Sequence, residues 1–145
     1  MEQSRTYAPA MDRLRGAGLR PTRQRLALAR LLFDGENRHV TAESLHREAQ
    51  GATIPVSLAT IYNTLHQFCE AGLLREVVVQ SGRSYFDTNT GDHHHFYDES
   101  RGHLTDIAGY EIELSRLPEP PPGRRIARVD VIIRLEDEAD GDPPR

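Results

Sequence analysis

Three consecutive histidines, His93, His94 and His95, have the clearest chemical reach in this chain, and carboxylates lie near them at Asp87, Asp92 and Asp106. In an extended strand successive side chains alternate faces, so His93 and His95 share one face and His94 takes the other. Two imidazoles on one face can share a divalent ion, with Asp87 and Asp106 available to complete its shell and His39 a further imidazole upstream. Nitrogen and carboxylate donors without thiolate suit Fe(II), Mn(II) or Zn(II). The competing reading is a polar turn whose histidines are simply solvated, and a bare triplet by itself favours that reading. His-x-His with aspartates is also the vocabulary of metallohydrolases. Against an enzyme, one saturated ion would consume most of these donors, and no nucleophile–base pair or Gly-rich phosphate loop appears.

A second set of residues suits an anionic partner. Leu58, Ile61, Leu65 and Phe68 recur at helical spacing, which leaves Ser57, Thr60, Tyr62, Asn63 and His66 towards solvent. Hydroxyls, a phenol and an amide at the start of such a helix can meet phosphates or base edges, and Asn63 could grip an adenine bidentately. Upstream, Arg20, Arg23 and Arg25 are placed to neutralise phosphate or enter a minor groove. Winged helices also dock on proteins, so spacing alone leans only slightly towards DNA.

The elements that position these residues follow from periodicity and caps. Helical patterns run over Ala8–Ala17, from Pro21-Thr22 to Asp34, onward from Thr41, and from Ser57 to Gly72. A β-hairpin follows, Leu73–Gln80 and Arg83–Asp87 about a Ser81-Gly82 turn. Polar residues 88–92 make a hinge. Beyond it come short strands near His94–Asp98 and His103–Ile107, then a longer one at Ile126–Leu135 with Val129, Val131 and Ile133 on one face. The prolines of Leu117–Gly123 demand an extended connector. The expected class is α+β: a winged helix-turn-helix domain over 1–87, a hinge at 88–92, and a small α/β dimerisation and metal-sensing domain over 93–135. An acidic, disordered tail is expected at 136–145.

Bulk properties agree. The 145 residues suit one ordinary domain or two small ones, and two small cores need further burial, which points to a homodimer. The net charge of −4 hides a split: residues 1–83 carry 11 Arg against 8 acidic side chains, and residues 84–145 carry 7 against 14. The basic half suits an anionic partner and the acidic half suits cations or solvent. No long apolar run spans a membrane, no signal peptide is evident, and the one cysteine, Cys69, fits a reducing, cytoplasmic setting.

Several blocks together carry a family resemblance. Leu19-Arg-Pro-Thr-Arg-Gln-Arg-Leu26, His39-Val-Thr-Ala-Glu43, Ser57-Leu-Ala-Thr-Ile-Tyr-Asn63 and Ala71-Gly-Leu-Leu74 closely resemble the ferric uptake regulator family, and the likeness continues through Tyr85-Phe-Asp87 and the histidines. It covers roughly residues 10–135. Within the family, Val56–Leu65, Tyr85–Asn89 and His93–Tyr97 look most like the iron response regulator branch.

The resemblance implies a homodimeric transcription regulator, a repressor in keeping with the family, that binds palindromic promoter DNA and controls iron, manganese or haem homeostasis. It makes Arg20 a minor-groove residue and Tyr62 a conformationally important tyrosine of the recognition helix. Asn63 stands where many relatives carry Arg, which implies a different operator. It also implies a five-ligand regulatory site of His39, Asp87, His93, His95 and Asp106. His94 and Glu113 resemble two ligands of a second site, although Asp92 replaces another histidine and the expected C-terminal histidine falls near Val129. His103 has no counterpart and reads as solvated. The structural zinc of many relatives needs two Cys-x-x-Cys pairs; the first would fall at Asp98 and Arg101, and no cysteine lies downstream of Cys69, so that zinc has no ligands here. Cys69 lacks the following proline of a haem motif, but the histidine run keeps haem a candidate cofactor.

Overall fold

Hydroxyl side chains open three of the four helices. The computed structural model describes residues 2–80 and 82–139, with side chains from Tyr7 onward. Its helices are α1 (Glu2–Gly16), α2 (Arg23–Phe33), α3 (Ala42–Gly51) and α4 (Leu58–Glu70). Thr22, Thr41 and Ser57 precede α2, α3 and α4 in extended backbone, and each side-chain oxygen accepts the amide three residues on. At Thr41 the bond is reciprocal, because Ser44 Oγ accepts the Thr41 amide at 3.0 Å. Such caps are each worth about 1 kcal/mol.

The helices pack on the stripes that their periodicity predicts. Ile61, Leu65 and Phe68 of α4 are fully buried, with Leu28 and Leu32 of α2 and Leu45 of α3 in the same core. Gly72 ends α4 with φ +80°. The Leu73 amide then reaches the Phe68 carbonyl at 2.9 Å and the Gly72 amide reaches Cys69 at 3.0 Å, the paired bonds of a Schellman end.

Helix α1 corrects the expectation of a start at Ala8: it begins at Glu2 and carries Pro9 inside it. A proline there removes one helical hydrogen bond, which is why local rules place the boundary beside it. Tertiary contacts on both sides of the proline favour continuation. Arg30 stacks its guanidinium 4.6 Å from the Tyr7 ring centre, Arg13 lies 4.6 Å over Phe33, and Ala10 and Leu14 are buried.

A three-stranded antiparallel sheet completes the N-terminal unit: β1 (His39–Val40), β2 (Arg75–Gln80) and β3 (Arg83–Asp87), in the order β1-β3-β2. Of the predicted hairpin turn, Ser81 lies outside the described residues. Strand β1 is two residues long, too short for alternation to reveal, and it sets His39 opposite Asp87. Helices with this sheet form the winged helix-turn-helix expected from the sequence.

The chain divides into two compact units between Thr90 and Gly91. The second holds β4 (His93–Asp98), β5 (His103–Ala108), a single 3₁₀ turn at Gly109–Glu111, and β6 (Ile132–Leu135), in the order β5-β4-β6. The hairpin β4–β5 is antiparallel and β6 runs parallel to β4. The stretch 112–131, with its prolines, contains neither helix nor strand. The predicted strand at Ile126–Leu135 is therefore corrected: only its last four residues pair, and Val129 and Val131 precede the ladder. One cause is visible at Val131, whose amide donates to His94 Nδ1 at 3.0 Å instead of to a strand carbonyl. Residues 140–145 of the expected tail lie outside the described residues.

Candidate metal centre and nucleic-acid interface

Strand alternation places the histidine run as the sequence predicts. In β4 the His93 and His95 rings lie 4.5 Å apart between centres, and the Nε2 atoms of both stand 3.5 Å from the same oxygen, Asp106 Oδ1. Asp106 reaches this point because β5 pairs it directly with His95. His94, on the opposite face, is held by the Val131 amide.

The hydrogen bonding prepares these donors for a cation. His93 Nδ1 lies 2.7 Å from the Gly91 carbonyl, which can only accept, so Nδ1 is the donor there and Nε2 is the ring atom turned to Asp106. A lone pair and a carboxylate oxygen facing each other at 3.5 Å repel unless a cation or proton lies between them. A backbone carbonyl fixing the ring tautomer is also the usual support of a metal-bound histidine. Three side chains of this unit thus offer ligand atoms within 4.8 Å of one another, and their nitrogen–oxygen chemistry fits a divalent ion.

The N-terminal unit carries a second donor pair. His39 Nε2 is 3.3 Å from Asp87 Oδ2, and the other Asp87 oxygen accepts the Asn89 amide at 2.9 Å. Asp87 is fully buried at the end of β3, with His39 opposite it on one side and Arg75 on the other. Arg38, which no motif marks, secures the approach to His39. Its amide donates to Thr88 Oγ1 at 2.8 Å, and its guanidinium bonds the Leu31 carbonyl at 3.1 Å and Glu48 at 2.8 Å.

The other candidate ligands separate from these sets. Among the described residues, His94 and Glu113 join no three-ligand cluster, and Glu113 and His103 are exposed. At the positions of the first missing cysteine pair, Asp98 accepts the Arg101 amide at 3.2 Å and the Ser100 hydroxyl at 2.7 Å, so a polar turn stands there. These bonds, the Ser100 hydroxyl first, hold the Asp98 carboxyl below its ordinary range.

On α4, Tyr62, Asn63 and His66 are exposed, and Ser57 stands exposed just before the helix, as the stripe predicts, whereas Thr60 is half-buried. Ser57 is committed locally: besides capping the helix, its hydroxyl donates to Thr60 Oγ1 at 2.9 Å. Tyr62 donates to Glu43 of α3 at 2.8 Å. Arg20 and Arg23 are exposed, but Arg25 turns inward, donating to the Arg20 carbonyl at 2.9 Å and to Gln67 of α4 at 2.9 and 3.3 Å. Sequence reasoning missed the roles of Glu43, Gln67 and Arg38 because each joins elements distant in the chain; Glu43 entered only as the last residue of the His39–Glu43 block.

Similar proteins bear on both sites. The Ferric uptake regulator family profile matches residues 16–118. The ferric uptake regulation protein of Cupriavidus metallidurans is 36% identical over 86 residues, 59% of this chain and 60% of that protein's length. The peroxide operon regulator of Bacillus subtilis is 35% identical over 98 residues, 68% of this chain and 67% of that one. Among solved structures, the Pseudomonas aeruginosa ferric uptake regulator with manganese superposes with a TM-score of 0.70 at 26% identity, covering 90% of this chain and 98% of that one. The Vibrio cholerae ferric uptake regulator shares the fold, with a TM-score of 0.66 at 23% identity over 86% of this chain and 96% of that one. These relatives are regulators, which removes the metallohydrolase reading. With the profile spanning most of its length, this chain belongs to the ferric uptake regulator family.

Proposed function

We propose that this protein is a metal-responsive transcription regulator, active as a homodimer on palindromic promoter DNA. The observation that carries this reading is the pair of imidazoles aimed at one carboxylate oxygen, with Nε2 of His93 and of His95 each 3.5 Å from Asp106 Oδ1. His39 and Asp87 form the second donor pair, and only residues 88–92 separate Asp87 from His93. All five are proposed as one regulatory site. A divalent ion supplies the positive charge and vacant orbitals that such carboxylates and imidazoles share. Side chains from both units satisfied at one point would fix the orientation of the units, so that metal affinity and DNA affinity become linked.

The winged helix supplies the DNA contacts, with Thr60, Tyr62 and Asn63 on α4, Ser57 at its cap, Arg20 in front of α2 and Arg23 at its first position. Asn63 serves as a base reader and Arg20 supplies mainly electrostatic affinity. Exposed Leu114, Leu117, Ile133 and Leu135 on the second unit are the apolar surface a homodimer would cover. Among the described residues no helix is long and apolar enough to cross a membrane, and the proposed place of action is cytoplasmic DNA.

The manganese in the Pseudomonas aeruginosa structure makes Mn(II) the first ion to test, followed by Fe(II), Zn(II) and haem. Duplex binding of one preparation is measured in apo and loaded forms at several salt concentrations. One loaded form is expected to differ from apo by about tenfold or more, with salt-dependent binding. Absence of duplex binding in every form overturns the reading.

A further inference from the structure

The Tyr62 hydroxyl lies 2.8 Å from Glu43 Oε1. Tyr62 stands on the exposed face of the recognition helix, and Glu43 sits in the first turn of α3, where the Thr41 cap fixes the helix start. A carboxylate has no proton to give, so the phenol donates. That bond is the chief reason the Glu43 carboxyl is held below its ordinary range and the Tyr62 phenol above its own. At neutral pH the pair is therefore phenol and carboxylate, with one direction of donation. Both residues line a cleft of about 590 Å³ shared with Arg83 and Tyr85 of the wing hairpin.

The direction of that bond limits what the phenol can recognise. A tyrosine hydroxyl has one proton, and its oxygen can otherwise only accept. With the proton given to Glu43, the oxygen cannot bond phosphate oxygens, guanine O6 and N7, or thymine O4, because all of these accept. It can accept from the exocyclic amines of adenine and cytosine, which project into the major groove.

We propose that Tyr62 reads an exocyclic amino group, adenine N6 or cytosine N4, and that Glu43 is the positioning residue that confines it to this choice. The inference rests on the DNA-binding reading above. Glu43 acts through the phenol and need not touch a base.

The test uses the full chain, loaded with Mn(II), and a randomised duplex library. The duplex it enriches is remade with each adenine replaced in turn by purine and each cytosine by 2-pyrimidinone, which deletes the exocyclic amine. Wild type is expected to lose about five- to a hundredfold in affinity at one position per half-site, and Tyr62→Phe to show no loss there. Glu43→Gln keeps an oxygen that accepts from the phenol and retains the penalty. Glu43→Leu releases the phenol proton and shrinks it. The proposal is overturned if Tyr62→Phe pays the same penalties as wild type, if no amine matters, or if Glu43→Leu behaves as wild type. Should Glu43→Leu fail to fold by circular dichroism, the comparison of wild type with Tyr62→Phe still decides. If wild type enriches no sequence, the DNA-binding reading itself falls and this one with it.

Discussion

Two N–H groups of Arg25 on α2 donate to a single acceptor on α4: Arg25 Nη2 and Nε lie 2.9 and 3.3 Å from Gln67 Oε1. The remaining arm of the guanidinium reaches the Arg20 carbonyl at 2.9 Å. One planar fork thus ties the recognition helix to the loop that carries Arg20. Arg25→Ala is expected to lower stability by about 1–2 kcal/mol in urea unfolding, and Gln67→Ala to add little in that background. Arg25→Lys keeps the charge without the fork and should also destabilise. Additive losses for the double variant would show that the two side chains act separately.

The two faces of the histidine run should separate in their effects. His93→Ala and Asp106→Ala are each expected to weaken Mn(II) binding by about tenfold or more, and to alter duplex binding only with metal present. His94→Ala should leave Mn(II) affinity within a few-fold while lowering stability by about 1 kcal/mol, since the Val131 amide loses its acceptor. Metal titration of the three variants beside thermal unfolding checks this. Loss of metal binding in His94→Ala alone would place the ligands on the other face.

Cys69 should be chemically quiet. Burial, then the nearby Glu76 and Glu70 charges, push its thiol up to about 11. At pH 8 the folded chain then holds on the order of a hundredfold less thiolate than the unfolded one, and thiolate is the reactive form. Alkylation by iodoacetamide is expected to be slow at pH 8 and to accelerate as pH approaches 11. The sign for stability follows: the folded state keeps its proton where the unfolded state loses it, so this contribution is present below about pH 9 and is lost as pH rises through 11. Rapid labelling of folded protein at pH 8 would contradict the half-buried placement.

Thr53 carries stored strain in the turn between α3 and α4. Its φ is +59°, in the left-handed region that a β-branched residue disfavours. The turn needs that conformation, because the Ile54 amide reaches the Ala49 carbonyl at 2.8 Å and the Thr53 amide reaches Gln50 at 3.1 Å. Thr53→Gly should raise stability by about 0.5–1 kcal/mol, the strain relieved exceeding the added chain entropy. A lower unfolding midpoint for this variant would count against the strain.

Much of this architecture is written in local chemistry. Thr22, Thr41 and Ser57 announce their helices because a cap and its amide lie three residues apart. Ile61, Leu65 and Phe68 disclose a buried face because the helical repeat is fixed by the backbone. The same regularity puts His93 and His95 on one face of β4, since strand alternation needs nothing beyond the order of residues. The five proposed ligands entered by resemblance, because spacing along the chain left His39 and Asp87 unconnected to each other.

Tertiary structure decided what depends on partners remote in sequence. The two-residue strand β1 exists because β3 lies beside it, and that pairing turns His39 and Asp87 into a donor pair. Helix α1 continues through Pro9 because contacts from α2 outweigh a local penalty, whereas the predicted strand at Ile126–Leu135 shortens to four residues where the His94 ring takes the Val131 amide. Glu43 has the sequence signature of one more solvated acid, and only the packing of α3 against α4 sets it against Tyr62. Caps and periodicity act over a few residues and are legible in order along the chain. A hydrogen bond between residues nineteen positions apart has no local signature, because only packing brings its two ends together.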